Sequence, residues 1–275
     1  MRRALILIAL VPLAVGCGAR KDTFAGAPGA MKDAGSSRIE MTIAGGKDHP
    51  LFSGTGAIDY SHNRGELVMK TEDTSFFPLG MMRVRFFGRT TYVGWTLRGK
   101  LRWMKEVEDP TGTDRFIPGP GGTSPDRVLE LIVKSSTKVE ILDTETIRGV
   151  PTKHYRGHLD PKKLGEDSSG PGDETVIDAW IDEDGLVRRL RVPDTGDSML
   201  LDFFDFGANV DVEIPPADEV ISDDRFFALV EQECKSSHDK AFRKGELCKG
   251  FLFSSREGGS AGPTETMPRT VTESK

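Results

Sequence analysis

Lys138-Val-Glu-Ile-Leu-Asp-Thr-Glu-Thr-Ile-Arg-Gly-Val-Pro-Thr-Lys-His-Tyr-Arg-Gly-His-Leu-Asp160 lies near the middle of a chain of 275 residues. Two runs rich in β-branched residues flank Arg148-Gly149, a tight turn in which glycine supplies a positive φ. Val139, Ile141 and Ile147 alternate with polar residues, so one face of the first run is expected to be buried. Pro151 offers no ladder donor and belongs at a strand start or a sheet edge. The stretch reads as a β-hairpin in the middle of a large antiparallel sheet. No residue in it is an obvious catalyst.

The same rhythm continues outward. Upstream, strands are expected over 37–45, 53–60, 66–71, 82–87, 90–97 and 101–107, joined by short glycine-bearing turns that make neighbours antiparallel. Residues 108–124 break the pattern with Asp-Pro-Thr-Gly-Thr-Asp and Pro-Gly-Pro-Gly-Gly, an irregular loop of the size used for lids or binding loops. Ser124-Pro125-Asp126 then starts a helix, with a hydroxyl cap, proline in the first turn and an acid for the dipole. Val128, Leu129, Leu131, Ile132 and Val133 give it an apolar side. Downstream, 174–181 and 186–192 form a second hairpin around Asp182-Glu-Asp-Gly185. In 198–206, Met199, Leu201 and Phe203 share one face and Leu200, Phe204 and Phe206 the other, so that strand should be covered on both sides. About ten strands in one antiparallel sheet must curl or be covered. The fold class is therefore α+β: a strongly curved antiparallel half-barrel sheet wrapped over α-helices, with an apolar cavity between the two.

The ends carry an address. Met1-Arg-Arg3 followed by the apolar run 4–16, too short to span a bilayer, is a secretory signal peptide. It ends Leu13-Ala-Val-Gly-Cys17, close to the lipobox of bacterial lipoproteins, although Ala14 stands where leucine is usual. Cys17 is expected to be lipidated and to hold the chain on the membrane, since each buried methylene contributes about 0.8 kcal/mol. The expected division is 1–16 signal peptide, 17–33 lipidated N-terminus and tether, 34–221 ligand-binding domain, 222–253 helical hairpin extension and 254–275 disordered tail. Phe24, Ala27, Ala30 and Met31 also have the spacing of a short helix within the tether. No run of eighteen apolar residues suggests a membrane-spanning helix. A net charge of −6 without a long basic run argues against nucleic acid as a partner.

Three segments together resemble a known family. They are Thr144–Tyr155, Ala179–Arg189, and Asp205-Phe-Gly207 with Val210 and Pro215-Pro-Ala-Asp-Glu-Val220. They are similar to the actinobacterial envelope lipoproteins of the LppX/LprAFG type, whose fold is like that of the LolA/LolB lipoprotein carriers. The resemblance runs from about Thr23 to Val220. It implies a half-barrel over helices, a hydrophobic cavity, and binding or transfer of acylated lipid or glycolipid without a cofactor. The shared motifs are turns and hairpins, which mark a fold more than a ligand.

The tail departs from that family. Ser222-Asp-Asp224 caps a helix bearing Phe226, Phe227, Leu229 and Val230, and 237–250 reads as a second one. With Cys17 lipidated, Cys234 and Cys248 remain as an even pair in an oxidising compartment and are expected to form a disulfide, with two free thiols as the alternative.

Other candidates weigh less. His154 and His158 would lie about 13 Å apart on a strand rising roughly 3.3 Å per residue, which leaves no metal site between them. Asp182-Glu-Asp-Gly185 imitates a calcium loop, but Trp180 and Arg191 occupy its first and last ligand positions, so a turn is the better reading. The glycines of 118–122 lack the Gly-Lys-Ser/Thr ending of a phosphate loop. Arg188, Arg189 and Arg191 would suit an anionic headgroup or simply a charged strand surface. No nucleophile–base signature suggests an enzyme. The candidate cavity wall comprises Phe76, Phe77, Leu79, Met82, Val84, Phe86, Trp103, Phe116, Leu129 and Ile132, for which plain core packing is the competing reading.

The expected function is to carry or present acylated lipid. The alternatives are a sensor or regulator acting on an envelope protein partner, and a structural protein with a solid core. A cavity of several hundred Å³ would favour the carrier. An exposed apolar patch on the helix at Phe226–Val230 would favour the partner reading.

Overall fold

The computed structural model describes residues 24–45, 49–71, 80–107, 125–160, 163, 175–194, 197–236 and 248. A 3-10 turn, Phe24–Gly26, leads into α1 (Ala27–Asp33). Six strands follow: β1 (Ser36–Gly45), β2 (His49–Asp59), β3 (Arg64–Thr71), β4 (Met81–Phe87), β5 (Thr90–Leu97) and β6 (Lys100–Val107). After α2 (Pro125–Ser135) come β7 (Ser136–Ile147), β8 (Val150–Leu159), β9 (Thr175–Ile181), β10 (Val187–Asp194) and β11 (Asp197–Phe204). The short β12 (Val220–Ile221) and α3 (Asp223–Ser236) complete the described chain.

The strands form one open sheet of twelve in the order β12-β6-β5-β4-β3-β2-β1-β11-β10-β9-β8-β7. Two meanders, β1–β6 and β7–β11, meet where β1 pairs with β11. Neighbours are antiparallel except β12, which runs parallel to β6. The Arg148-Gly149 turn has φ of 49° and 81°, the doubly positive geometry that matches strand twist in a two-residue hairpin.

The sheet curves around the helices. On its inner face Ile39, Met41, Leu67, Val84, Val93, Ile177, Leu190, Leu201 and Phe203 are buried in a single core. α1 packs on α2, α2 on β8, and α3 on β5 and β6. α2 turns Val128, Leu129 and Ile132 inward, as its spacing predicts. α3 is capped by the Ser222 hydroxyl, which accepts from the Arg225 N–H at 3.4 Å, and carries Asp223 and Asp224 in its first turn. Its buried residues Phe226, Val230 and Cys234 recur every four positions, and Phe226 rests on Trp95 with ring centroids 4.7 Å apart. Cys234 is joined to Cys248, and both are fully buried. α3 and Cys248 are thus part of the same core. The second helix expected over 237–250 lies, apart from Cys248, outside the described residues.

Two expectations are corrected. The Lys138–Asp160 hairpin is at the end of the sheet, not in its middle, and among the described residues β7 is an open edge. Val139 and Ile141 are accordingly 41% and 65% exposed, while only Ile147 of the alternating set is buried. Alternation marks a face, but among the described residues no further strand or helix covers that face. The segment from Phe24 to Asp33 is not tether. Phe24, Ala27, Ala30 and Met31 are buried, because their spacing puts four apolar side chains on one side of a short helix.

The hairpin also bends. Pairing of β8 with β9 ends at Lys153↔Ile181, and β7 has a register shift between Ile141 and Thr144. Beyond that point the tip folds over the outer face, where Arg148 bonds Glu40 of β1 and its guanidinium lies 4.1 Å from the Phe204 ring centroid. This covers β11 on its second side.

Candidate functional site

α1 and α2 meet β9 and β10 along an apolar seam. Phe24, Ala27 and Pro28 line it from the N-terminal side, Leu129, Ile132 and Val133 from α2, and Ala179, Ile181, Val187 and Leu190 from the sheet. Phe24 reaches the sheet because Gly157 leaves room: a methyl there would come 3.0 Å from Phe24 Cζ. The cavity left in the seam is ≈ 10 Å³, about what one water requires. Ligand pockets run to about 300–1,000 Å³. Among the described residues the seam is closed in this state.

The core beyond the seam is rich in methionine, although none lines the seam itself. Met31, Met41, Met69, Met82, Met104 and Met199 are all buried in the core. An unbranched thioether has three rotatable bonds and repacks readily around a new shape.

Of the candidate wall residues, Leu129 and Ile132 line the seam. Met82, Val84 and Phe86 lie on the inner face of β4, in the same core but away from the seam. Trp103 is on the opposite face. Its indole covers Gly94, donates to Glu219 Oε2 at 3.2 Å and receives the Arg85 guanidinium at 4.9 Å, so it cannot line the interior. Phe76, Phe77, Leu79, Phe116 and Cys17 lie outside the described residues. Sequence reasoning missed Phe24, Ala27, Ala179, Ile181, Val187 and Leu190. The helical spacing around Phe24 was the available signal for the first two; nothing local tells which face of β9 and β10 meets a helix.

The outer face of β7–β11 is a charged lattice. Arg156 donates to both Asp178 oxygens, at 2.8 and 3.3 Å, and Arg189 to both of Asp202, at 2.6 and 2.8 Å. Burial works to raise the Asp178 carboxyl, but the Arg156 hydrogen bonds and charge, with His154 close beside it, outweigh burial and hold it below the usual carboxylate range. The hydrogen bond to Asp178 raises Arg156 in turn. His154 stacks on Trp180 with centroids 4.2 Å apart and planes within 13°. Its Nδ1 is 3.1 Å from Asp143 and 3.5 Å from Glu145, and its Nε2 is 3.1 Å from Asp178. His158 instead faces Glu140 at 3.1 Å. Hydrogen bonds from Lys138 and then His158 lower the Glu140 carboxyl.

The other charged candidates are structural. Asp182 accepts from the Asp184 and Leu186 N–H groups and from Arg188, which makes it the anchor of a hairpin turn. Arg188 and Arg189 are thereby taken up inside the protein, while Arg191 is exposed.

No family model matches the chain, and no curated protein does. Among solved structures it is similar to the lipoprotein LppX of Mycobacterium tuberculosis, at 15% identity over 69% of this chain and 98% of that one, with a TM-score of 0.45. LprF of Mycobacterium bovis is similar at 16% identity over 70% and 94%, also with a TM-score of 0.45. The MucA/MucB complex of Pseudomonas aeruginosa follows at 13% identity over 70% and 57%, with a TM-score of 0.33. At such identities and superpositions, function is a matter for the chain's own residues. Among the described residues no helix is long and apolar enough to cross a membrane.

Proposed function

We propose that the protein is an envelope lipoprotein, anchored through Cys17, that takes up the acyl chain of a lipid or glycolipid between α1, α2 and the sheet. One observation carries this reading: the seam is walled by apolar side chains alone, from two short helices and two strands. The methionines elsewhere in the same core are the part that can repack to make room. A chain of about sixteen carbons gains roughly 0.8 kcal/mol per methylene buried, whereas exposing a large core side chain costs about 1.5–3 kcal/mol. Entry of the chain therefore outweighs the displacement of Leu129 and Ile132 from their seats. The site needs no cofactor and no catalytic group.

The test is titration of a soluble form starting at Lys21 with a fluorescent C18 fatty acid. Saturable one-site binding is expected, with affinity reduced in Ala27→Leu, which fills the seam. Absence of saturable binding to the unaltered protein rules the reading out.

A second reading, contact with an envelope protein, is favoured by the open β7 edge, where Val139, Ile141 and Leu142 are all exposed. The apolar side of α3 lends it no support, since Phe226 and Val230 face the core. Loss of a captured partner on Ile141→Lys, with lipid binding unchanged, would establish it.

A further inference from the structure

We propose that Asp143, Glu145 and His154 form a site for one divalent cation of the zinc class on the outer face, at the base of the bent hairpin tip. The three ligand atoms lie within 4.8 Å of one another. His154 Nδ1 is 3.1 Å from Asp143 Oδ1 and 3.5 Å from Glu145 Oε1. A tetrahedral ion with bonds of about 2.0–2.2 Å holds its ligands roughly 3.3 Å apart. The two nitrogen–oxygen separations therefore already match a coordination sphere, and only side-chain adjustment of the exposed Asp143 and Glu145 is needed to close it.

The second observation concerns the imidazole. His154 is nine-tenths buried and fixed against Trp180. Its Nε2 sits 3.1 Å from Asp178 Oδ1, close enough to pair though out of line for a straight hydrogen bond, and Asp178 is itself held by Arg156. A carboxylate behind the far ring nitrogen is the arrangement that orients metal-binding histidines and fixes their tautomer. Nδ1 is the ring atom turned to the two acids, and it is hydrogen-bonded to Asp143. A cation there would take the place of the hydrogen between ring and carboxylates and bring Glu145 into the same contact. No partner for this histidine was visible from the His154/His158 spacing, because the acids come from the facing strand. They are brought opposite His154 beside the register shift between Ile141 and Thr144.

The charged groups around His154 are Asp143, Glu145 and Asp178, then Arg156 through Asp178 and Arg189 over Trp180 at 6.0 Å. A second proton on His154 is the competing occupant. A bound cation would clamp the tip whose Arg148 reaches Glu40 and Asp202.

The experiment uses the full chain, untagged, purified from membranes in detergent and stripped with EDTA. It is titrated at neutral pH with zinc and manganese chlorides, by calorimetry and by tryptophan fluorescence, which reports on Trp180 stacked against the ligand histidine. One-to-one binding is expected, lost in the Asp143→Asn/Glu145→Gln variant and about 10–100-fold weaker in Asp178→Asn, with far-ultraviolet circular dichroism unchanged. The two acids are exposed, so their removal leaves the fold intact. No saturable binding, binding that survives the double variant, or a fluorescence change with pH that no metal alters would each overturn the proposal.

Discussion

Phe24, at the entry to α1, packs on Tyr155 of β8 with ring centroids 6.2 Å apart and planes inclined by 36°. The contact fixes the first helix to the concave side of the sheet and forms one end of the seam. Phe24→Ala should cost about 3–5 kcal/mol, as buried aromatic truncations do. Urea unfolding measures the loss. Hydrogen exchange should show α1 amides losing protection before those of β9 and β10.

The Cys234–Cys248 bridge closes a sequence separation of 14 residues and seats α3 under Trp95. A loop of that size contributes about 3 kcal/mol by chain entropy. The Cys234→Ser/Cys248→Ser variant should lose about that much in denaturant unfolding. It should also change the fluorescence of Trp95.

Acid stability should depend on Asp178. Its folded pKa is held below the usual carboxylate range, after burial is outweighed by Arg156 with His154 close beside it. A depressed carboxylate contributes stability that is fully present above its unfolded value and is lost as pH falls through the folded one. Stability should therefore fall below about pH 4, and Asp178→Asn should flatten that limb while lowering stability at neutral pH. Unfolding midpoints from pH 2 to 7 give the comparison.

The edge position of β7 predicts an asymmetry between two isoleucines. Ile141→Thr, at a side chain 65% exposed, should shift stability by no more than about 0.5 kcal/mol. Ile177→Ala, fully buried under Phe24 and Gly157, should cost about 2–5 kcal/mol. Equal effects would mean that β7 is covered.

These contrasts show what local sequence carries. Arg148-Gly149 announces its turn, Ser124-Pro125 its helix, and the Asp182 loop its hairpin, because each depends on residues a few positions apart. The edge at β7, the burial of Trp103 on the outer side and the parallel pairing of β12 with β6 depend on what lies across the fold. Alternation in Val139 and Ile141 is the same whether or not another element covers them. The seam was half legible for that reason: α2 shows its apolar side, whereas Ala179 and Leu190 look like any inward strand residue. Asp143 and Glu145 meet His154 only through the β7–β8 pairing.

The most direct test of the account is what the protein holds when taken from its own envelope. A soluble form starting at Lys21, secreted and purified without detergent, is extracted with organic solvent and analysed by mass spectrometry against a mock purification. The account predicts a defined set of acylated species at a stoichiometric amount, and a core measurably expanded from the closed seam described above. A protein that emerges empty, and stays empty when offered acylated lipid, would contradict it.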